Sequence, residues 1–262
     1  MDLSCRLFPL SRAPGPWQMA ADEALLEAAS RGQASLRFYT WDQTTLSLGY
    51  FQPAADRQAG GLAHLAWVRR ASGGAALVHH HEVTYALALP ATVASSALVP
   101  SPQRGPQTPS HTLGALLARE SWVGKMHHII ARALAALGVR PRLCSAHEEQ
   151  QLGPVLCFLH HTSGDLLIDN AKVVGSAQRK RKGSLMQHGG ILLAQSPHTP
   201  SLPGILELTG QQISPEEVAL VVSRQFIQDT GIRLQAGDWQ EEVERIEQLR
   251  TRYTDPAWNA RR

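Results

Sequence analysis

Between Asp165 and Leu193 the chain reads DLLIDNAKVVGSAQRKRKGSLMQHGGILL, and that order restricts the local fold severely. Residues 172–178 and 185–193 are apolar and small, which predicts two strands, and the basic run Arg179-Lys180-Arg181-Lys182 between them reads as a solvated hairpin tip. One strand carries Lys172, Gly175, Ser176 and Ala177, and the other carries His188, Gly189 and Gly190. Small residues beside a lysine and a histidine suit a place where a ligand lies against bare backbone. Just upstream, Cys157 sits in the apolar segment 155–159, which also reads as a strand. Cys157 and Lys172 are fifteen positions apart, a separation that lets them meet across neighbouring strands. An ammonium beside a thiol favours the thiolate and makes the sulfur a nucleophile. The alternative reading is a buried structural cysteine and a solvent-facing strand lysine.

The rest of the chain supplies a frame for that hairpin. Residues 17–29 have apolar positions at helical spacing, and 36–41 and 45–48 read as strands around a polar turn. Further strands are expected at 64–70, 75–78 and 83–89, the last alternating with Val83, Tyr85, Leu87 and Leu89 on one half-buried face. Residues 95–111 are rich in Ser and Pro and read as a flexible loop, either a lid or a surface insertion. A long amphipathic helix is expected over 112–137, stopped by Gly138. Additional strands are expected at 139–143 and 165–168. The tail, 214–253, reads as helical: Ser214-Pro215-Glu216-Glu217 has capping-box spacing with proline at the first helical position, and a second helix starts at Asp238. Two groups of strands with helices between them indicate an α+β fold in a single domain over residues 1–262.

Composition narrows the function classes. A 262-residue chain that is 43% hydrophobic has ample material for a core. The amino end has no basic region followed by a long apolar one, and no apolar run approaches the roughly 20 residues that span a bilayer, so a cytosolic protein is expected. The three cysteines, Cys5, Cys144 and Cys157, cannot all pair within one chain, and reduced thiols are the default. A net charge of +3 is too small to argue for nucleic acid, and the basic run lacks interleaved aromatics. Cys144, His147, Cys157 and His160 have C-x-x-H spacings, but the intervals match no familiar zinc module, and no metal is expected.

A second segment sharpens the reading. Arg69-Arg70-Ala71-Ser72-Gly73-Gly74-Ala75-Ala76-Leu77-Val78-His79, followed by Glu82-Val83-Thr84-Tyr85, resembles the RR-x-(S/T)-GG-x-A-x-x-H…(L/V)TY signature of the lipoate–protein ligase and octanoyltransferase superfamily. The K-V-x-G-x-A-Q…HG pattern at Lys172–Gln178 and His188-Gly189 resembles that family's second signature. Leu36-Arg37-Phe38-Tyr39-Thr40-Trp41 and Ser47-Leu48-Gly49-Tyr50-Phe51-Gln52 near the amino end, and Tyr253–Asn259 at the far end, also look like family segments in the expected order.

The resemblance implies a biotin/lipoate protein ligase-like catalytic domain with a central mixed β-sheet flanked by helices. The Cys157-Phe158 pair ahead of the D…K-V-x-G segment looks like the cysteine loop of the octanoyltransferase branch, where the thiol carries the acyl group. It implies an octanoyltransferase that takes octanoyl from acyl carrier protein and gives it to a lysine of a lipoyl domain, such as the glycine-cleavage H protein. Cys157 and Lys172 would be catalytic, with Lys172 beside the acyl carbonyl and backbone N–H groups near Gly175 and Ser176 completing an oxyanion site. Arg70, Ser72, Gly73, Gly74, His79, Gly175, Ser176, Ala177, His188 and Gly189 would line the ligand site. Arg70 orients the ligand or pairs with a nearby carboxylate. The basic run at 179–182 is either a plain hairpin tip or a docking patch for an acidic carrier.

The thioester is already activated, so no cofactor is expected, and the working state is a monomer. Ala75 departs from the pattern, since many relatives carry Gly or Arg there, and losing an Arg weakens an ATP-dependent reading. An ATP-dependent lipoate–protein ligase and a non-catalytic carrier-binding module are the alternatives. A GRGRxG-type biotin-ligase motif is absent.

Overall fold

The computed structural model describes residues 4–95, 120–153 and 155–262. Among them nine strands form one mixed sheet. β1 (Ser4–Leu7) and β2 (Ser11–Ala13) lie along one edge of β3 (Ala34–Trp41), both parallel to it. β14 (Arg233–Ala236) extends the sheet beyond β1, again in parallel. On its other side β3 pairs antiparallel with β7 (Glu82–Leu89), and β7 pairs antiparallel with β13 (Ser184–Leu192). β13 pairs with β12 (Ala171–Arg181), β12 with β11 (Leu166–Ile168), and β11 with β8 (Arg142–Leu143), all antiparallel. A second sheet holds β4 (Thr45–Leu48) between β5 (Ala66–Arg69) and β6 (Leu77–His79). β9 (Gln150–Gln151) and β10 (His160–His161) form a short antiparallel pair.

The expected hairpin is present. Arg181 pairs with Ser184 across Lys182 (φ 48°) and Gly183 (φ 80°), a two-residue turn with both residues left-handed. That turn matches the twist of the flanking strands, and glycine at its second position carries no Cβ penalty.

Helices cover both faces of the large sheet. α1 (Gly15–Ala29), with Pro16 in its first turn, packs with α6 (Val243–Thr254) on one face. On the other lie α3 (Trp122–Ala135), capped by Ser121, and α5 (Pro215–Thr230), whose Ser214–Glu217 capping box forms as the sequence indicates. Short helices α2 (Ala91–Ala94), α4 (Ile205–Thr209) and α7 (Pro256–Asn259) complete the set among the described residues. β7 shows why two helical layers are needed. Val83, Tyr85, Leu87 and Leu89 point into the α3/α5 core, while Ala86 and Ala88 face α1. All eight residues of β7 are buried, so the strand is covered on both faces rather than one. Its alanines, with Ala20, Ala21 and Ala24 of α1, let that helix approach the sheet closely.

Several expected elements change. The strand expected at 155–159 is a single bridge, Leu156 to Ala76, followed by a 3-10 turn over Cys157–Leu159. The Cys157 carbonyl accepts from Lys172 and from the His160 N–H that closes the 3-10 turn, so the chain returns to a strand only at β10. The strand expected at 64–70 shortens to β5, preceded by a 3-10 segment over Ala54–His64. The strand expected at 75–78 starts at Leu77, because Arg70 and Cys157 take the Ala75 and Ala76 carbonyls. The tail is not wholly helical, since β14 lies between α5 and α6. Residues 96–111 of the expected loop and the opening of the helix expected from 112 lie outside the described residues.

Candidate active site

Cys157 opens its 3-10 turn half-buried, with its backbone N–H donating to the Ala76 carbonyl at 2.7 Å. Lys172, on the first turn-proximal length of β12, lies behind it with Nζ 3.7 Å from the Cys157 sulfur. The ammonium is buried and firmly held: 2.7 Å from Asp165 Oδ2, 3.0 Å from the His160 carbonyl and 3.3 Å from the Cys157 carbonyl. Asp165 is fixed in turn by the Thr162 N–H at 2.8 Å. The curl of Lys172 back over its own strand depends on Gly175, because a Cβ there would stand 2.3 Å from Lys172 Cε and 2.8 Å from Nζ.

Arg70 supplies the other buried cation. Its guanidinium donates to the Ser47 carbonyl (2.8 Å), Ser47 Oγ (2.6 Å), the Gly73 carbonyl (3.2 Å) and the Ala75 carbonyl (2.9 Å). No carboxylate among the described residues lies within ion-pair distance of it. Burial pulls its basicity down, and the neighbouring Cys157 opposes that shift. Lys172 is paired with Asp165, whereas Arg70 reaches the buried Glu82 carboxylate only through Ser47 and His79.

Three buried hydrogen-bond chains brace the pocket. His79 Nδ1 faces the Glu82 carboxylate at 2.8 Å, so its Nε2 accepts from Ser47 Oγ at 2.7 Å, while Trp41 stacks on the ring. His188 Nδ1 lies 2.8 Å from Asp22 Oδ2, and its Nε2 lies 2.5 Å from Ser72 Oγ. His127 Nδ1 donates to the Gly164 carbonyl at 2.5 Å, leaving Nε2 to accept from Ser176 Oγ at 2.6 Å. Ser176 also takes the Tyr85 hydroxyl at 2.7 Å, and Tyr85 receives Gln187 Nε2 at 2.6 Å. Burial lowers the pKa of His79 and His127, which keeps both imidazoles neutral, and pushes the Tyr85 phenol up to about 12.

Cys157, Arg70, Gly74, His79, Gly175, Ser176, Ala177, His188 and Gly189 all line one pocket, as the sequence groups them. Lys172 stands behind the sulfur, Ser72 behind His188, and Gly73 at the rim near Phe51. Beyond Val174, β12 has β13 on one side only, so its other edge is not bonded to β11. Gly189 and Gly190 leave room for neighbouring side chains, since a Cβ would stand 2.4 Å from Ser176 Oγ at Gly189 and 3.0 Å from Glu82 Oε2 at Gly190. Sequence reasoning missed Asp22, Ser47, Glu82, His127 and Asp165. His127 lies in an ordinary apolar helix face and the carboxylates sit on remote elements, so no local pattern marks them. Of the basic run, Arg179 donates to the Ala71 carbonyl at 2.6 Å and Arg181 pairs with Glu27 at 2.8 Å, which leaves Lys180 and Lys182 exposed. Among the described residues no three His, Cys, Asp or Glu side chains are placed to hold a metal ion.

The sequence model of the biotin/lipoate A/B protein ligase family matches residues 111–196. Octanoyltransferase LipM of Kyrpidia tusciae is 31% identical over 98% of this chain and 98% of its own length. The chain belongs to the biotin/lipoate A/B protein ligase family. Octanoyltransferase LipM of Brevibacillus brevis is 32% identical over 93% of this chain and 94% of its own. Among solved structures, lipoate-protein ligase A bound with ATP superposes with a TM-score of 0.70 at 20% identity, covering 98% of this chain and 99% of that one. The bi-partite lipoate protein ligase of Thermoplasma acidophilum, described with its E2 lipoyl domain, gives a TM-score of 0.65 at 18% identity over 98% and 96% of the two chains. The α+β architecture expected from the sequence is thus the fold of this family of ligases and transferases. No helix among the described residues is long and apolar enough to cross a membrane.

Proposed function

We propose that this acyltransferase moves an octanoyl group from acyl carrier protein to the lysine of a lipoyl domain, such as the glycine-cleavage H protein, through a thioester on Cys157. The observation that carries the reading is the Cys157 sulfur at the pocket wall, 3.7 Å from a buried, fully engaged ammonium. The near full-length relatives named octanoyltransferase support the acyl group.

In the first half-reaction the Cys157 thiolate attacks the incoming thioester carbonyl. Lys172 presents the near, positive end of its pair with Asp165 to the sulfur, and the Arg70 guanidinium lines the same pocket. The oxyanion of the tetrahedral species is stabilised by that charge and by the unpaired edge of β12 from Gly175 onward. The carrier's thiolate leaves and takes up a proton. In the second half-reaction the uncharged amine of the target lysine attacks the acyl-enzyme, Cys157 sulfur leaves, and the amine's surplus proton restores the thiol. One C–S bond is exchanged for another, then for an amide. The bond energy of the thioester drives both steps, so the chemistry draws on neither ATP nor a metal. His79, Ser72, Gly73, Gly74, Ser176, Ala177, His188 and Gly189 shape the ligand site, and Gly73-Gly74 lets the ligand approach backbone. The protein works in the cytoplasm as a monomer on this reading.

Intact-mass measurement after mixing with octanoyl-loaded acyl carrier protein tests the proposal. A single octanoyl adduct that disappears in Cys157→Ala is expected. Transfer that persists in Cys157→Ala when ATP and lipoate are supplied makes the protein a ligase instead.

A further inference from the structure

The turn after β4 places an aromatic and cationic cluster beside the pocket mouth. The Tyr50 N–H donates to the Ser72 carbonyl at 2.8 Å, which fastens the turn to the Gly73-Gly74 loop. Gly49 lies so close to that loop that a Cβ would stand 1.8 Å from the Gly74 carbonyl oxygen. The next side chain, Phe51, is 67% exposed, the most open large apolar side chain among the described residues. Guanidiniums gather on this pair. Arg261 lies 4.3 Å from the Tyr50 ring centre and donates to its hydroxyl at 2.8 Å, and Arg262 and Arg179 lie 5.7 and 6.0 Å from the same ring. Arg262 also stands 5.1 Å from the Phe51 ring. None of the three has a carboxylate within ion-pair distance among the described residues, in contrast to Arg181, Arg245 and Arg252, which all pair with Glu23 or Glu27. Aromatic stacking holds the guanidiniums in place without neutralising them.

We infer that this cluster, which draws Arg179 from the hairpin run and leaves Lys180 and Lys182 outside it, is the docking surface for the acidic donor carrier protein. The inference rests on the proposed acyl transfer. Three unneutralised guanidiniums complement acidic side chains and the phosphodiester of a carrier's acyl-bearing arm, and they are preorganised for bidentate contact with either. The exposed Phe51 ring offers an apolar anchor inside the charged ring, the arrangement that concentrates binding energy at protein interfaces. The phosphodiester is carried on the donor's acyl-bearing arm and has no counterpart on the acceptor's lysine, so the surface favours the donor over the acceptor.

The test compares wild type with the double variant Arg261→Glu/Arg262→Glu, whose altered residues lie outside the pocket. Acylation of Cys157 by octanoyl-loaded acyl carrier protein is expected to slow more than tenfold at low salt. The wild-type rate should fall as sodium chloride is raised, while the variant's rate stays nearly flat. Acylation by a small octanoyl thioester of N-acetylcysteamine should be unchanged, and so should transfer from the acyl-enzyme to a lipoyl domain. Loss with the small thioester as well, an unchanged carrier rate, or a slowed acceptor step each overturns the assignment. Direct binding of acyl carrier protein to Cys157→Ala enzyme, with and without the charge reversals, reads docking where no chemistry occurs. A tenfold weaker Kd in the reversed variant supports the surface even if Cys157 proves not to carry the acyl group, and an equal Kd refutes it.

Discussion

Replacing Gly175 with alanine should disable the site through Lys172 alone. The new methyl would lie 2.3 Å from Lys172 Cε, whereas ordinary contact begins at 3.4 Å, so the side chain must retreat by roughly 1.1 Å. Lys172 has no slack for that move, with its ammonium 2.7 Å from Asp165 and 3.0 Å from the His160 carbonyl in a buried site. A displacement of about 1 Å takes such contacts out of hydrogen-bond range and costs on the order of 100-fold in rate when the displaced group is catalytic. Overpacking should also destabilise the fold by about 1–3 kcal/mol. Single-turnover acylation of Cys157, followed by intact mass, reads the rate, and urea unfolding reads the stability. The decisive comparison is with Lys172→Ala. If Gly175→Ala acts only by moving the lysine, adding it to Lys172→Ala slows acylation no further. A Gly175→Ala enzyme within twofold of wild type, or a double variant carrying both full losses, would refute the reasoning.

Other consequences are open to simple measurement. Iodoacetamide at pH 7.5 should alkylate Cys157 first, since burial raises the pKa of Cys144 and pushes the Cys5 thiol up to about 12; peptide mapping that finds Cys5 or Cys144 modified first counts against this. The part of the stability that depends on His79 and His127 should be constant above about pH 6.5 and fall below it. His79 and His127 have lowered pKa values in the fold, so the unfolded chain binds more protons from the ordinary histidine value of 6.5 downward, at a cost of up to about 1.4 kcal/mol per pH unit for each. Equal urea midpoints at pH 7.5 and 5.5 would contradict that. Gly183→Ala should lower stability by about 1–2 kcal/mol, because φ is 80° there and the new Cβ would stand 2.9 Å from Ala91 Cβ; an unchanged melting temperature would show that the turn relaxes.

The hairpin and the pairing of Cys157 with Lys172 were legible in the sequence because each has a local signal. Apolar runs flank a turn with glycine at its second position, and the glycines mark where the backbone lies bare. The 3-10 turn at Cys157 was not legible, since a five-residue apolar run has the same pattern in a strand and in a buried turn. What accompanies the break is the lysine fifteen residues later, which takes the Cys157 carbonyl. β14 escaped notice for a different reason: Arg233, Gln235 and Ala236 are exposed at the sheet edge and carry no alternation of apolar residues. The supporting carboxylates Asp22 and Asp165 became meaningful only once the fold set them beside His188 and Lys172.

Two successive carbonyls in the glycine loop hold opposite partners: that of Ala75 takes the Arg70 guanidinium, and that of Ala76 takes the Cys157 N–H. Charge and nucleophile are therefore geared to two adjoining peptide units. A group pressing on Gly73-Gly74 shifts both in step and preserves their spacing, whereas damage to that short stretch disables the two together.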